Sequence, residues 1–274
     1  MSGLTGRTVV NEAQVAHYHD EGYVVLESVI PDDMLRMLRE ECHYFVGYTD
    51  GRMDAEGRTT EGITHRGSRY FVANRYRMSH RMRRFLFGDL MAQITSAILG
   101  PDVYLFNEQW VVKGPEQGMK FAWHQDSGYV KHREHQTTHR PYLSCWCALD
   151  DVDESNGTVP ILPHSRAGTR DEIVDHTRED RTNDLVGYRG DDPGIPVVCP
   201  AGSIAAFTSY TLHRSGANTS DDMRRVYLAQ YSAEPVLNRS GGLWALAVPF
   251  VAAGRVVYDP LTDSAERFGP IREP

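Results

Sequence analysis

The second half of the chain consists of short β-favouring runs that turn residues separate from one another. Glycine, proline, asparagine and aspartate interrupt the runs VYLFNEQWVV, MKFAWHQ, RPYLSCWCAL, IPVVCP, SIAAF and RRVYLAQYS. Many short strands with turns between them are typical of a sandwich or barrel of the jelly-roll kind. We therefore predict a double-stranded β-helix, a cupin-like core, over about residues 101–234.

The N-terminal part of the chain instead carries helical periodicity around one strand. The predicted elements are a helix near residues 11–20, a strand over GYVVLES (22–28), a helix from Pro31 to about Val46 and a helix from His80 to Leu99. One apolar side of the last helix comprises Phe85, Leu86, Leu90, Ile94, Ala97 and Ile98. Residues 47–68 contain five glycines and no periodicity, which predicts a long loop. The expected fold is α+β and mainly β, a single domain over 1–274 in which a helical layer (about 11–100) buttresses the core.

The segment 166–195 differs from the rest of the core region in its charge and glycine content. It holds eight acidic residues, five arginines and four glycines. A structureless stretch of this length inside a compact domain is usually a lid or a binding loop. We expect a lid-like insertion that orders over bound substrate; a solvated surface insertion is the alternative.

The charge balance and the cysteines limit the partners and the compartment. Thirty-seven acidic residues exceed 29 basic ones, a formal net charge of −8, which argues against nucleic-acid and anionic-membrane surfaces. Residues 1–14 lack the apolar core of a signal peptide, and no apolar run approaches the length of a membrane helix. We interpret the four cysteines as core thiols; they are Cys42, Cys145, Cys147 and Cys199. These features favour a cytoplasmic protein and do not specify an oligomeric state.

The motif His124-Gln125-Asp126 supplies two types of metal ligand at a spacing of two residues. On a strand, His124 and Asp126 point to one face, whereas Trp123 and Gln125 point to the other. His213 follows the strand-like run SIAAFTSYTL and is the best candidate for a third ligand. Two histidines and one carboxylate form the facial triad of non-haem iron(II) oxygenases, which leaves positions open for a co-substrate and dioxygen.

Two other interpretations of the histidines stay open from the sequence alone. The spacing H-x-D also occurs in surface His–Asp pairs that hold no metal. His132, His135 and His139 follow one another at three- and four-residue spacing, which suits a helical metal site. The surrounding KHREHQTTHR is wholly polar, however, and looks like an exposed loop.

Residues that follow His213 form a candidate anion-binding group. Arg224 opens the strand RRVYLAQYS, where a guanidinium can hold a carboxylate through two parallel hydrogen bonds. Ser215, two residues after His213, can add a hydroxyl donor to the same anion. Arg225 is the alternative anchor, and the alternation of a strand places the two arginines on opposite faces.

Taken together, these motifs resemble the phytanoyl-CoA dioxygenase family. The resemblance rests on WHQD (123–126), the strand that carries Trp146, ESNGTVPILPHSRAG (154–168), PAGSIAAF (200–207) and HRSGANTSDDMRR (213–225). YHDEGYVVLESVIPDDMLRMLREE (18–41) is similar to the family's opening, and the match covers about residues 14–234. The resemblance implies an iron(II)- and 2-oxoglutarate-dependent oxygenase on a double-stranded β-helix.

The resemblance also implies roles for individual residues. The family's iron ligands correspond to His124, Asp126 and His213, and its 2-oxoglutarate contacts correspond to Arg224, Ser215, Trp146 and Gln109. The chain looks most similar to bacterial-type members that tailor small molecules. The acidic segment 166–195 argues against an acyl-CoA substrate, because it repels the anionic CoA group.

The implied reaction consumes dioxygen and 2-oxoglutarate, releases succinate and carbon dioxide, and by default hydroxylates a small molecule. Desaturation, cyclisation and epimerisation are alternatives with the same cofactors, and halogenation is disfavoured because Asp126 is present. A metal-binding cupin-like enzyme without oxidation and a non-catalytic binding protein are the remaining alternatives. Trp123, Tyr129 and Tyr210 lie near ligands in sequence and are candidate pocket walls, or else ordinary core aromatics.

Overall fold

The computed structural model describes residues 8–115, 121–135, 137, 139–179 and 184–270. The α-helices in these ranges are α1 (Glu12–Glu21), α2 (Asp32–Ala55), α3 (His80–Leu86), α4 (Asp89–Leu99), α5 (Asp126–Arg133), α6 (His164–Ala167) and α7 (Ala265–Phe268); a 3-10 turn covers Tyr76–Met78. The strands are β1 (Tyr23–Leu26), β2 (Thr60–Glu61), β3 (Thr64–His65), β4 (Arg69–Ala73), β5 (Val103–Lys113), β6 (Phe121–His124), β7 (Leu143–Ala148), β8 (Pro160–Leu162), β9 (Thr177–Arg178), β10 (Leu185–Val186), β11 (Ile195–Pro196), β12 (Ile204–Thr208), β13 (Leu212–Ser215), β14 (Arg224–Ser232), β15 (Val248–Ala252) and β16 (Arg255–Val256).

Two antiparallel sheets form the core. The larger sheet has the order β1-β12-β7-β14-β5-β4-β3-β2, with β15 also paired to β5 and β16 to β15; the smaller has the order β11-β8-β13-β6. Apolar side chains of both sheets meet between them, among them Trp146 and Phe207 of the larger and Ile161 of the smaller. Together the sheets form the predicted double-stranded β-helix, and the α+β, mainly β class is confirmed.

The strand runs predicted for the second half correspond to β5, β6, β7, β11, β12 and β14. The run IPVVCP is the least regular: it pairs at Ile195–Pro196 and through one bridge between Cys199 and Val152. Pro200 ends the run, because proline has no N–H to donate to a ladder. Met119 and Lys120, at the start of MKFAWHQ, lie outside the described residues.

Helices α1 to α4 cover the outer face of the larger sheet. In α2 the buried residues recur at three- and four-residue spacing, beginning with Leu35, Leu38, Cys42 and Phe45. They belong to one core cluster with aromatic side chains of β5 and β14, namely Trp110, Tyr227 and Tyr231. This contact is the predicted buttress of the β-helix by an N-terminal helical layer.

The first helix and strand also form as predicted. Asn11 accepts a hydrogen bond from the backbone N–H of Gln14, whose side chain accepts from the backbone of Asn11, and this capping box starts α1. Gly22 ends the helix at a φ of 85°, a left-handed conformation that favours glycine. A Cβ there would lie 2.5 Å from side-chain atoms of His164 and Thr211, so the close approach also requires glycine.

The prediction of a loop over 47–68 was wrong in its first part. Helix α2 continues to Ala55, because Thr49 and Met53 are buried and extend the stripe of Phe45 at four-residue intervals. Gly47 lies on the open side of the helix, where an added Cβ would contact nothing. A short hairpin, β2–β3, occupies the rest of the segment.

The predicted helix from His80 to Leu99 is in fact two helices. α3 ends at Leu86 and α4 begins at Asp89, because the chain turns at Gly88, where a Cβ would lie 2.4 Å from the carbonyl oxygen of Arg84. Ala97 was assigned to the apolar side but is exposed, whereas Met91 is buried. Because the chain breaks between α3 and α4, one continuous helical stripe does not describe both.

All four cysteines are free and buried, as predicted for core thiols. Burial raises the pKa of Cys42 to about 12 and the pKa of Cys199 to about 11, which keeps both thiols protonated and unreactive. None of the helices in the described ranges combines the length and hydropathy that spanning a bilayer requires. The single domain over 1–274 stays a prediction.

Candidate metal centre

Three elements bring the predicted ligands together inside the β-helix. His124 is the last residue of β6, and His213 lies directly opposite it in β13. Asp126 is the first residue of α5. The expectation that the strand runs on through Asp126 was therefore wrong: the start of the helix, rather than strand alternation, turns the carboxylate towards the two histidines.

The three side chains surround one point. Asp126 Oδ1 lies 3.9 Å from His124 Nε2 and 3.6 Å from His213 Nε2. Each imidazole donates its Nδ1–H to a backbone carbonyl, His124 to Ala122 at 2.9 Å and His213 to Thr211 at 3.0 Å. Carbonyl acceptors of this kind fix the tautomer and ring orientation of metal-binding histidines, so both Nε2 atoms present a lone pair to the centre.

Electrostatics keep the candidate ligand His124 in its neutral form. Burial and, to a smaller extent, the nearby His213 together lower the pKa of His124 to about 4, although Asp126 opposes both effects. A neutral imidazole is the form that coordinates a metal.

The structure does not support the two alternative interpretations of the histidines. Among the described residues, His124, Asp126 and His213 form the one cluster of such side chains with metal-binding geometry. Helix α5 ends at Arg133, so His132, His135 and His139 do not share a helix. His139 is buried rather than exposed and is hydrogen-bonded to Ser127 at 2.9 Å.

Arg224 is buried in the interior at the start of β14. It is 3% exposed, and its guanidinium lies 5.2 Å from the centre of the Trp146 ring. Arg224 Nε has no hydrogen-bond partner among the described residues. Burial lowers the pKa of Arg224 to about 10, although the charge of Asp150 opposes this shift. A buried guanidinium with an unpaired donor is suited to an anionic ligand.

A lysine that the sequence analysis missed lies beside this arginine. Lys113 of β5 is the cross-strand partner of Arg224 and is 3% exposed. Its Nζ donates to Ser215 Oγ at 2.9 Å and also to the carbonyl of Gly216. The alternation of β5 contained this information, because Lys113 is four residues after Gln109 and shares its face. Arg224, Ser215 and Lys113 thus form one cationic, hydrogen-bonding group on the interior side of the larger sheet.

The remaining candidate co-substrate residues and the alternative anchor lie on opposite faces of the larger sheet. Gln109 is opposite Leu228, which in turn is opposite Trp146, so all three share the interior face. Arg225 faces outward and binds Asp150, with Nε 2.9 Å from Oδ2. It lines a separate cavity of about 610 Å³ beside α2. The structure therefore places Arg224, and not Arg225, inside the β-helix.

The segment 166–195 is hydrogen-bonded to Gln125, the residue between the candidate ligands His124 and Asp126. His176 Nε2 accepts the backbone N–H of Gln125 at 2.9 Å, and burial lowers the pKa of His176 to about 4 and so preserves this acceptor. The Gln125 side chain donates to the carbonyl of Glu172 at 2.8 Å and accepts from the N–H of Val174 at 2.8 Å. A Cβ on Gly128 would lie 2.3 Å from the imidazole of His176, so the contact is close.

These contacts change the interpretation of 166–195. The segment is not structureless, because it contains the end of α6, the hairpin β9–β10 and the start of β11. Residues 180–183 lie outside the described part of the chain. Closure of the segment over a substrate stays a prediction. Residues 172–176 form hydrogen bonds with Gln125, at the junction between β6 and α5.

The three aromatic wall candidates occupy different positions. The Tyr129 ring lies edge-on to His124, 5.5 Å between ring centres, beside the metal centre. Trp123 points away from it into a cluster with Leu162 and Leu212, so its assignment as a wall was wrong. Tyr210 donates through its hydroxyl to the carbonyl of His139 at 2.9 Å.

We expect replacement of His176 by alanine to lower the free energy of unfolding by about 1–3 kcal/mol, because a buried N–H of Gln125 loses its acceptor. Urea unfolding measures this change. His135→Ala is the matched control, since His135 is exposed, and it should shift stability by less than about 0.5 kcal/mol. Equal stability of the two variants would contradict the supporting role of His176.

Comparison with known proteins identifies relatives of the chain. A family model described as phytanoyl-CoA dioxygenase matches residues 18–226. Ectoine dioxygenase from Bordetella parapertussis is 27% identical over 241 residues, 82% of this chain and 76% of that protein. The epimerase SnoN, solved in complex with Fe³⁺, alpha ketoglutarate and nogalamycin RO, is 21% identical with a TM-score of 0.61, over 85% of this chain and 87% of that chain. The carbocyclase SnoK from nogalamycin biosynthesis is 21% identical with a TM-score of 0.63, over 85% and 87%. At these identities the structural likenesses show a shared fold.

Proposed function

The chain belongs to the phytanoyl-CoA dioxygenase family, and from this premise we propose that it is an iron(II)- and 2-oxoglutarate-dependent dioxygenase that oxidises a small molecule. His124, Asp126 and His213 would hold the iron. The observation that carries the proposal is the convergence of these three side chains, the one such cluster in the described parts of the chain. Two neutral imidazoles and one carboxylate are the donor set that iron(II) takes in this class of oxygenase.

The co-substrate 2-oxoglutarate would lie with its distal carboxylate against the cationic group of Arg224, Ser215 and Lys113. Arg224 and Ser215 would bind that carboxylate, and Lys113 adds a second positive charge next to Ser215. Trp146 and Gln109 share the same interior face and would line the co-substrate's path to the metal. The unpaired Nε of the buried Arg224 supports this assignment, because a carboxylate would supply the missing acceptor.

When bound, iron and 2-oxoglutarate supply the oxidising power, since decarboxylation of 2-oxoglutarate to succinate activates dioxygen. The chain's own residues orient and isolate that chemistry. The backbone carbonyls of Ala122 and Thr211 fix the two imidazoles. The contacts of Gln125 with residues 172–176 hold the backbone between His124 and Asp126 in place.

The substrate class follows from the relatives and from charge. Ectoine dioxygenase and the epimerase and carbocyclase of nogalamycin biosynthesis support a small-molecule substrate. The eight acidic residues of 166–195 disfavour a polyanionic acyl-CoA. Hydroxylation is the proposed outcome; epimerisation and cyclisation, the activities named for the two solved structures, and desaturation are the alternatives. We also propose a cytoplasmic location, which the four free, buried cysteines support.

Two functions of other classes leave the buried Arg224 near the metal centre unexplained. A metal-dependent enzyme without oxidation, or a non-catalytic binding protein, has no need of a carboxylate anchor near the metal. The buried Arg224 with its unpaired donor favours the oxygenase.

The proposed function is tested by incubating the protein with iron(II), 2-oxoglutarate and ¹⁸O₂, with ectoine as the first candidate substrate. We expect iron-dependent succinate that carries the label, and a labelled hydroxylated product once the substrate is correct. A product with two hydrogens fewer, a new ring or an inverted carbon would select an alternative outcome. Succinate no higher than in the iron-free control would contradict the proposal.

The same assay in chloride buffer tests the role of Asp126 in product type. Because the Asp126 carboxylate would occupy a coordination position on the iron, we expect mass spectrometry to find no chlorinated product from the unchanged protein. Chlorinated product would show that Asp126 does not coordinate the iron.

A further inference from the structure

The oxygen of Asp126 that faces away from the histidines has its own set of partners. Ser144 donates to Asp126 Oδ2 at 2.6 Å, and Gln230 Nε2 donates to the same oxygen at 2.9 Å. Oδ1, by contrast, is the oxygen that lies 3.6 Å from His213 Nε2. The two carboxylate oxygens therefore have separate environments, one hydrogen-bonded and one turned towards the metal position.

These partners form a row across three strands of the larger sheet. Gln230 of β14 is the cross-strand neighbour of Asn107 in β5 and of Ser144 in β7. Gln230 is 5% exposed and Ser144 is fully buried. Residues directly opposite one another on one face lie close enough to interact, so the strand register places the three side chains next to one another.

The directions of the hydrogen bonds determine how Gln230 is oriented. Asn107 Nδ2 donates to Gln230 Oε1 at 2.9 Å, which turns the amide nitrogen of Gln230 towards Asp126. One N–H of Gln230 then reaches Asp126 and the other reaches Ser144 Oγ at 2.9 Å. A carboxylate accepts and does not donate, so the opposite orientation of the amide would set oxygen against oxygen.

We propose that Gln230, oriented by Asn107, is a positioning residue that together with Ser144 occupies Oδ2 of Asp126 and thereby presents Oδ1 alone to the metal. The inference rests on the proposed function, because it assigns Asp126 as a metal ligand. Gln230 acts through Asp126 and does not itself reach the metal position. Its role is to keep the carboxylate a one-oxygen ligand, which leaves the remaining positions open for co-substrate and dioxygen.

The test measures cobalt(II) binding to the full-length protein by anaerobic competition titration. We expect Gln230→Leu to weaken cobalt(II) binding by about 10- to 100-fold, the usual effect of removing a group behind a metal ligand. Ser232→Ala is the matched control: Ser232 is two residues further along the same strand, is buried, and its hydroxyl has no partner among the described residues. The control should bind within about twofold of the unchanged protein.

A second readout separates positioning from general damage. The visible d–d absorption of bound cobalt(II) reports its coordination, and we expect its band shape to change in Gln230→Leu and to stay unchanged in Ser232→Ala. Should Gln230→Leu fail to fold, Asn107→Leu keeps Gln230 but releases its amide, and it should weaken binding by more than the control does. Binding and spectrum like those of the unchanged protein, in whichever of these variants folds, would overturn the inference.

Failure of the inference and failure of the proposed function look different in this experiment. If the unchanged protein binds no cobalt(II), the proposed metal centre is wrong. If the unchanged protein binds cobalt(II) and Gln230→Leu binds it equally well, the metal centre stands and the role of Gln230 is wrong.

Discussion

Replacement of His213 by alanine is expected to abolish iron-dependent turnover while the fold stays intact. His213 is one of three candidate ligands and approaches Asp126 Oδ1 at 3.6 Å. Loss of groups behind a metal ligand already costs about 10- to 100-fold, so loss of a ligand itself should cost more than about 100-fold. Succinate formation under air measures turnover, and urea unfolding measures the fold.

The matched control for His213→Ala is His43→Ala, which removes an exposed imidazole from α2, far from the candidate centre. It should retain turnover within about twofold. Turnover by His213→Ala at the level of this control would show that the third ligand lies elsewhere. His124→Ala should behave as His213→Ala does, because the two residues are paired across β6 and β13.

Replacement of Arg224 by alanine is expected to raise the 2-oxoglutarate concentration needed for half-maximal turnover by at least about 30-fold. Truncating one partner of a buried, hydrogen-bonded charge pair costs about 2–5 kcal/mol, and 1.4 kcal/mol corresponds to a factor of ten. Arg224→Lys should recover only part of the loss, because a lysine cannot form two parallel bonds or stack on Trp146 as the guanidinium does. Steady-state kinetics with 2-oxoglutarate as the varied substrate checks both variants.

The adjacent arginine provides the control for this prediction. Arg225 is bound to Asp150 on the outer face, so Arg225→Ala should change the 2-oxoglutarate requirement by less than about threefold. A larger effect of Arg225→Ala than of Arg224→Ala would place the co-substrate anchor on the outer face of β14 and contradict the assignment of Arg224.

Much of the fold could be predicted because the second half alternates strands and turns so regularly. The runs that became β5, β7, β12 and β14 needed only their β-branched and aromatic content. Helix ends were harder to predict. The length of α2 depended on Thr49 and Met53 continuing a buried stripe through two glycines, and the break before α4 depended on crowding at Gly88. Both are tertiary effects that local composition does not report.

The candidate site could be predicted only in part from the sequence. His124, Asp126 and His213 carry their chemistry in their residue types, so the sequence identified them even though Asp126 is on a helix rather than a strand. Lys113 and Gln230 are ordinary in sequence and gain their place from cross-strand register. His176 lies 51 positions from the Gln125 backbone that it supports. The alternation of β5 places Lys113 on the face of Gln109, but the contacts of Gln230 and His176 depend on tertiary structure that the sequence does not show.

The most direct test of the metal centre is an anaerobic absorption titration of the metal-free protein with iron(II) and 2-oxoglutarate. Bound together, the two give a visible charge-transfer band. We predict that this band saturates at one iron per chain in the unchanged protein, is absent in His213→Ala, and requires at least about 30-fold more 2-oxoglutarate in Arg224→Ala. No band in the unchanged protein, or the same band in His213→Ala, would contradict the assignment of His124, Asp126 and His213 as the iron site.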